Sequence, residues 1–286
     1  MRKFLMCVSA LFVSAALLVV LVAAGNRHLP IGKFSSWSQA TAESKKALIN
    51  QELNTVKGLP WAGRYYYGDG LGVNVHLSLA PKSGFEFTWY GCLGLYDLNY
   101  GSVVEKEGVL HLIFTHSNER KSFQGIAPEL VPLVWGDRHY LIPADRFVDF
   151  ANAVNAGFET HNSVSRRFLL REGDELKEVE GAPKLPSQYS GYLLEKPIKA
   201  EITSIKGSLI EDSARITTVL LNVGRSQRVK EGMEFHLYSP STLYVSARVT
   251  KVEADSSEAK IGQDEGIEQC GRPSLGWKLS TSAQRD

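Results

Sequence analysis

The chain has 286 residues, with 32 Lys+Arg against 31 Asp+Glu and a formal net charge of +1. This balance argues against a nucleic-acid partner, because phosphate binding needs clustered basic charge. A hydrophobic share of 43% suffices for a core, and the length exceeds one usual domain, so two domains are expected.

Arg2 and Lys3 precede an uncharged apolar run over residues 4–22, closed by Ala23-Ala24-Gly25. A positive start, an apolar stretch and small closing residues mark an export signal, with cleavage after Ala24. The run also reaches the roughly 20 residues that span a bilayer, so an uncleaved N-terminal anchor is the alternative. Either way, residues 1–25 predict an extracytoplasmic protein, periplasmic or secreted. Contact with the membrane is expected only through this segment, if it stays attached.

Residues 25–36 read as an extended tether. A helix follows, capped by Thr41, with Glu43 in its first turn and Ala42, Ile49, Leu53 and Val56 on one face. Lys57-Gly58 and Pro60 stop it. From Gly63 the period changes to two. Val73, Val75, Leu77 and Leu79 form one strand face, a turn at Ala80-Pro81-Lys82-Ser83-Gly84 follows, and Phe85, Phe87 and Trp89 face the same way on a hairpin partner. A second pair spans 101–105 and 110–114, and 139–142 is a short strand. Pro143 opens a second helix running to about residue 155, with Phe147, Phe150, Ala151 and Val154 buried and Gly157 ending it. Segments 166–170 and 176–179 flank Glu172-Gly173-Asp174 as a last hairpin. The first domain, 37–180, is therefore expected to be a lipocalin-like antiparallel barrel or curved sheet carrying two helices.

Residues 181–199, with prolines at 183, 186 and 197, read as the linker. Short strands resume near 200–206, 216–222, 233–238, 244–252, 257–261 and 276–280. Their close spacing and glycine turns predict a small second β-barrel over 200–286. The fold class is thus mainly β.

Within that second domain stand Leu221-Asn222-Val223-Gly224, then Val229-Lys230-Glu231-Gly232-Met233-Glu234-Phe235, Val249-Thr250-Lys251-Val252 and Ser257-Glu258-Ala259-Lys260-Ile261. The pattern resembles the small C-terminal barrel of the flagellar assembly protein T family. That resemblance implies a docking or assembly unit in the bacterial envelope rather than an active site. Gly224 and Gly232 would permit tight corners while Met233, Phe235 and Val249 fill the barrel. In the first domain, the segments 66–74, 91–97 and 142–145 are similar to a set of uncharacterised bacterial envelope proteins, a likeness that implies no chemistry.

The residues that could carry chemistry are few. Gly68-Asp69-Gly70-Leu71-Gly72 looks like a phosphate loop but precedes a strand, not a helix, and reads as a turn. Asp69, Asp97 and Asn99 lie in glycine-flanked, tyrosine-rich segments, where carboxylates can hold a cation, though the spacing matches no calcium loop, act as an acid/base pair or bond their own backbone. Tyr65, Tyr67, Trp89, Tyr96 and Tyr100 can line a pocket at a barrel mouth, or simply pack. His76, His111 and His236 alternate with apolar neighbours, and no zinc or protease spacing is present, so neither metal nor cofactor is expected. Of the cysteines outside the leader, Cys92 and Cys270 either pair as a disulfide or leave Cys92 as a small buried hydrophobe. The sequence favours a non-catalytic role, either binding a small apolar or glycan ligand or joining an envelope protein in an assembly. The alternatives are an envelope hydrolase using Asp69 and Asp97, and a purely structural assembly subunit.

Overall fold

The computed structural model describes residues 36–115, 126–158, 160, 168–211, 214–237, 245–264 and 272–283. Residues 1–35, where a leader and tether are expected, and Arg166, Arg167 and Cys270 lie outside them.

The alternating segments form an up-and-down meander: β1 (Gly63–Gly68), β2 (Asn74–Ala80), β3 (Gly84–Gly91), β4 (Gly94–Lys106), β5 (Val109–Phe114), β6 (Glu129–Trp135), β7 (Arg138–Pro143) and β8 (Leu169–Arg171). Every neighbour is antiparallel, and β8 pairs with both β7 and β1, closing an eight-stranded barrel. The expected hairpin over 166–179 does not form. Both edges of β8 are taken, so 176–179 has no strand to join, and Leu176 is left 96% exposed.

Cross-strand partners share a face, so the register stacks inward rows of side chains. One row runs Tyr67, Val75, Trp89, Asp97, and the next runs Tyr65, Leu77, Phe87, Asn99. Below them come Gly63, Leu79, Phe85 and Gly101, then Phe114 on β5. Gly101 is required there: a Cβ would lie 1.9 Å from the Ile113 carbonyl oxygen and 3.0 Å from the Phe85 ring.

Two helices cover opposite walls. α1 (Ser36–Leu53) lies across the outside of β2, β3 and β4. It begins before the expected cap, so Thr41 is interior to it, and Val56 lies beyond its end. Ala42 and Ile49 are buried as expected. Ala42 packs on Leu98 and Tyr100 of β4. At the other end Glu52 accepts the Lys82 and Ser83 amides of the β2–β3 turn at 3.0 and 2.7 Å. Pro143 ends β7 rather than opening a helix; a 3-10 turn, Ala144–Arg146, leads into α2 (Phe147–Ala156). Gly157, left-handed at φ 71°, ends α2 by donating to the Ala153 and Val154 carbonyls. Phe147, Phe150 and Ala151 bury against Leu133, Tyr140, Ile142 and Leu170 on β6, β7 and β8.

The second barrel comprises β9 (Lys199–Glu211), β10 (Ala214–Leu221), β11 (Glu234–Leu237), β12 (Ser246–Val252), β13 (Ser257–Asp264) and β14 (Lys278–Ser280). It closes in the order β10-β13-β12-β11-β14-β9. Met233, Phe235 and Val249 fill it. Gly232 has φ +85°, whereas Gly224 is needed for closeness: a Cβ would meet the Ser256 nitrogen at 2.5 Å. Residues 181–198 pack onto α2: Leu185 is buried and Tyr189 stacks on Phe147 at 5.0 Å. Asn152 of α2 donates to the Gly232 carbonyl at 2.8 Å and accepts the Glu234 amide at 3.2 Å. Arg248 pairs with Asp149 at 2.7 Å and with Glu234 at 3.1 Å. These bonds tie the second barrel to the first through α2.

Candidate functional site

The meander gives the first barrel two unlike ends. The β2–β3, β4–β5 and β6–β7 turns lie at one end, the base; the β1–β2 and β3–β4 turns lie at the other, the mouth. The base is packed shut. Trp61, 5% exposed, enters the core just before β1, and its Nε1 donates to Glu105 Oε2 at 2.8 Å. Arg171 on β8 donates to the Pro60 and Ala62 carbonyls on either side of Trp61, and to the Tyr65 hydroxyl at 3.2 Å. Tyr65 therefore belongs to this plug, its hydroxyl also donating to the Trp61 carbonyl at 3.1 Å. Burial raises its phenol pKa to about 12, against the opposing Arg171 charge. An open depression of about 360 Å³ beside the plug, lined by Leu53, Val56, Leu59, Pro60, Ala62 and Arg171, lies outside the barrel.

Toward the mouth, Tyr67, Trp89 and Asp97 share one inward row, and Asn99 lies one row deeper. Asp97 and Asn99 are 5% and 2% exposed among Val75, Phe87 and Trp89. Their Oδ1 atoms accept the next backbone amides, Leu98 at 2.8 Å and Tyr100 at 2.9 Å. Burying two polar side chains in an apolar lumen costs free energy unless they are bonded. Tyr96 joins the group through a bulge. The β3–β4 register shifts between Trp89 and Tyr90, leaving Tyr96 as the extra residue. Its ring lies over Gly91, where a Cβ would sit 1.8 Å from Tyr96 Cε2. There it meets Trp89 edge-on, with centroids 5.4 Å apart.

The remaining sequence candidates lie elsewhere. Asp69 sits in the β1–β2 turn and accepts the Leu71, Gly72 and Val73 amides at 2.8, 2.8 and 2.9 Å through one oxygen. Partial burial pushes its carboxyl upward, but these amides outweigh that and hold it below the usual carboxylate range. This is an Asx turn, which removes support for Asp69 as half of an acid/base pair. Tyr100 faces outward, buried beneath α1 against Ala42. Cys92, in the β3–β4 turn, is an exposed free thiol rather than a buried hydrophobe, and its expected partner Cys270 lies outside the described residues.

The chain matches no family model, no characterised protein and no solved structure. Among the described residues, no three His, Cys, Asp or Glu side chains are grouped to hold a metal ion. His76 and His111 face outward near Glu172 and Glu129. His236 lies opposite its apolar neighbours as expected, yet is buried against the Phe158 ring at 5.2 Å.

Sequence reasoning missed two polar groups. Alternation puts Glu86 in solvent, but α1 covers that face and leaves the residue 2% exposed, with Oε2 lacking any hydrogen bond. Burial raises its pKa to about 7, with only Lys46 opposing. His139 Nδ1 lies 2.9 Å from the buried Asp174 carboxylate, which Lys177 also contacts at 2.6 Å. No local motif marks either group, because Glu86 is covered by α1 and His139 of β7 meets Asp174 from beyond the end of β8.

Proposed function

We propose that this is an exported envelope protein whose first barrel binds a small apolar or glycan-bearing molecule through its mouth, without transforming it. One observation carries the reading: an inward row of Tyr67, Trp89 and Asp97 with Asn99 beneath it, above a base sealed by Trp61 and Arg171. Aromatic walls bury a ligand's apolar body, and a few buried polar groups fix its orientation. The export assignment rests on the leader at residues 1–25. The second barrel, held to α2 by Asn152 and Asp149, suits the docking role its resemblance implies.

The test is native mass spectrometry of protein purified from its own envelope. Wild type should carry a bound mass, and Asn99→Leu, similar in shape but without the amide, should lose it while melting as a folded protein. If wild type carries no mass and its tryptophan emission ignores panels of lipids and oligosaccharides, the binding reading fails.

A further inference from the structure

The β1–β2 and β3–β4 turns at the mouth differ in chemistry from the turns at the base, whereas the other two mouth connections, 115–128 and 144–168, carry charged residues, Lys121 and Asp145 among them. Each base turn carries charge: Lys82 between β2 and β3, Glu107 between β4 and β5, Asp137 between β6 and β7, and Glu172 after β8. The two hairpin turns at the mouth, residues 69–73 and 91–94, contain one charged residue, Asp69, whose carboxylate is turned onto its own loop. Beside the exposed Asp69 they present Leu71, 73% exposed, and Leu93, 69%, and Tyr90 at the end of β3 is 45% exposed. Single exposed leucines are ordinary, but two neighbouring turns, each tipped with leucine, mark a contact surface. The Cys92 thiol, 3.6 Å from the Leu71 carbonyl, shows that the two tips touch.

The direction of α1 identifies what meets this surface. Its C-terminal end is fixed at the base by Glu52 on the β2–β3 turn, and Ala42 lies against the mouth-side half of β4. At 1.5 Å per residue, its start is about 9 Å further toward the mouth than Ala42. The chain before Ser36 therefore leaves at the end bearing Leu71 and Leu93. With the apolar run at 4–22 retained as the anchor, the alternative to cleavage after Ala24, thirteen residues, 23–35, join it to that point. Even fully extended they reach only about 45 Å.

We infer that the mouth end of the first barrel faces the extracytoplasmic surface of the membrane, with Leu71, Tyr90 and Leu93 entering the lipid boundary. Leucine and tyrosine suit that boundary, the ring taking the headgroup level. The inference deepens the binding reading and rests on it in one respect: a mouth turned to the bilayer makes the ligand a lipid or lipid-linked molecule taken from that layer.

The experiment uses the full chain in vesicles of phosphatidylethanolamine and phosphatidylglycerol, with or without bromine on the acyl chains. Leu71→Trp and Leu93→Trp report the mouth, and Leu176→Trp, a still more exposed leucine position at the base, is the control. Bromine should quench the added emission at 71 and 93 and leave that at 176 at the wild-type background. A wild-type chain that fails to float with the vesicles, no quenching at 71 and 93, or equal quenching at 176 would each overturn the inference. The double variant Leu71→Asp/Leu93→Asp should lose the vesicle contact of the mouth without altering the fold. If the orientation fails while wild type still carries a bound mass that Asn99→Leu loses, lumenal binding stands and only the membrane source is wrong.

Discussion

Glu86 offers the sharpest test of how α1 is held. Its carboxyl lies on the outer face of β3, between Ser78 of β2 and Tyr100 of β4 in the register, beneath the helix. It is 2% exposed, accepts no hydrogen bond at Oε2, and titrates near 7 instead of 4.5 because burial penalises the charged form. Asn50 Oδ1, on the helix, is a second buried acceptor without a donor. Between those two pKa values the folded chain keeps a proton that the unfolded chain releases. Stability is therefore full below the unfolded value and declines as pH rises through about 7. The difference, at about 1.4 kcal/mol per pH unit, amounts to roughly 3 kcal/mol by alkaline pH. Glu86→Gln keeps the shape and removes the titration. Urea unfolding followed by tryptophan emission, from about pH 5 to about pH 8, should show wild type losing stability and the variant holding level. At the alkaline end Glu86→Gln should be the more stable protein, and Lys46→Ala should steepen the wild-type decline. An identical pH slope in wild type and Glu86→Gln would refute the reasoning, because the titrating group would then be another.

Three further outcomes follow from the packing. Trp61→Ala opens the base plug and should cost about 3–5 kcal/mol in urea unfolding of the first barrel, with Arg171 left facing the gap. Asn152→Ala removes both bonds to the 232–234 corner and should cost about 2 kcal/mol, read as faster proteolysis or amide exchange between α2 and the second barrel. Asp69→Ala removes the acceptor for three turn amides and should lower stability by about 1–2 kcal/mol, while leaving the Asn99-dependent ligand mass in place. If that mass disappears in a folded Asp69→Ala protein, the turn residue takes part in binding after all.

Much of the architecture was legible along the chain. Alternation in 73–79 and 85–89 predicted paired strands, and the glycine-bounded segments after residue 199 predicted all six strands of the second barrel. The constellation near the mouth was half legible. Tyr67, Trp89, Tyr96, Asp97 and Asn99 stand out in the sequence as aromatic and Asx residues near turns, and they do converge. Tyr65, Tyr100 and Asp69 stand out for the same reasons but lie in the plug, under α1 and in a turn.

A period of two states which residues share a face but not which face becomes the interior. Asn99 and Tyr100 are neighbours in sequence, and only closure through β8 made the first lumenal and the second external. Likewise only the path of α1 buried Glu86, since a strand with one face on the core normally leaves the other to water. The sequence by itself determined the local elements and their turns, because those depend on side-chain pattern and backbone freedom within a few residues. The tertiary structure alone decided the sealed base, the two polar side chains in an apolar lumen and the covered carboxyl, because each is made by groups far apart in the chain.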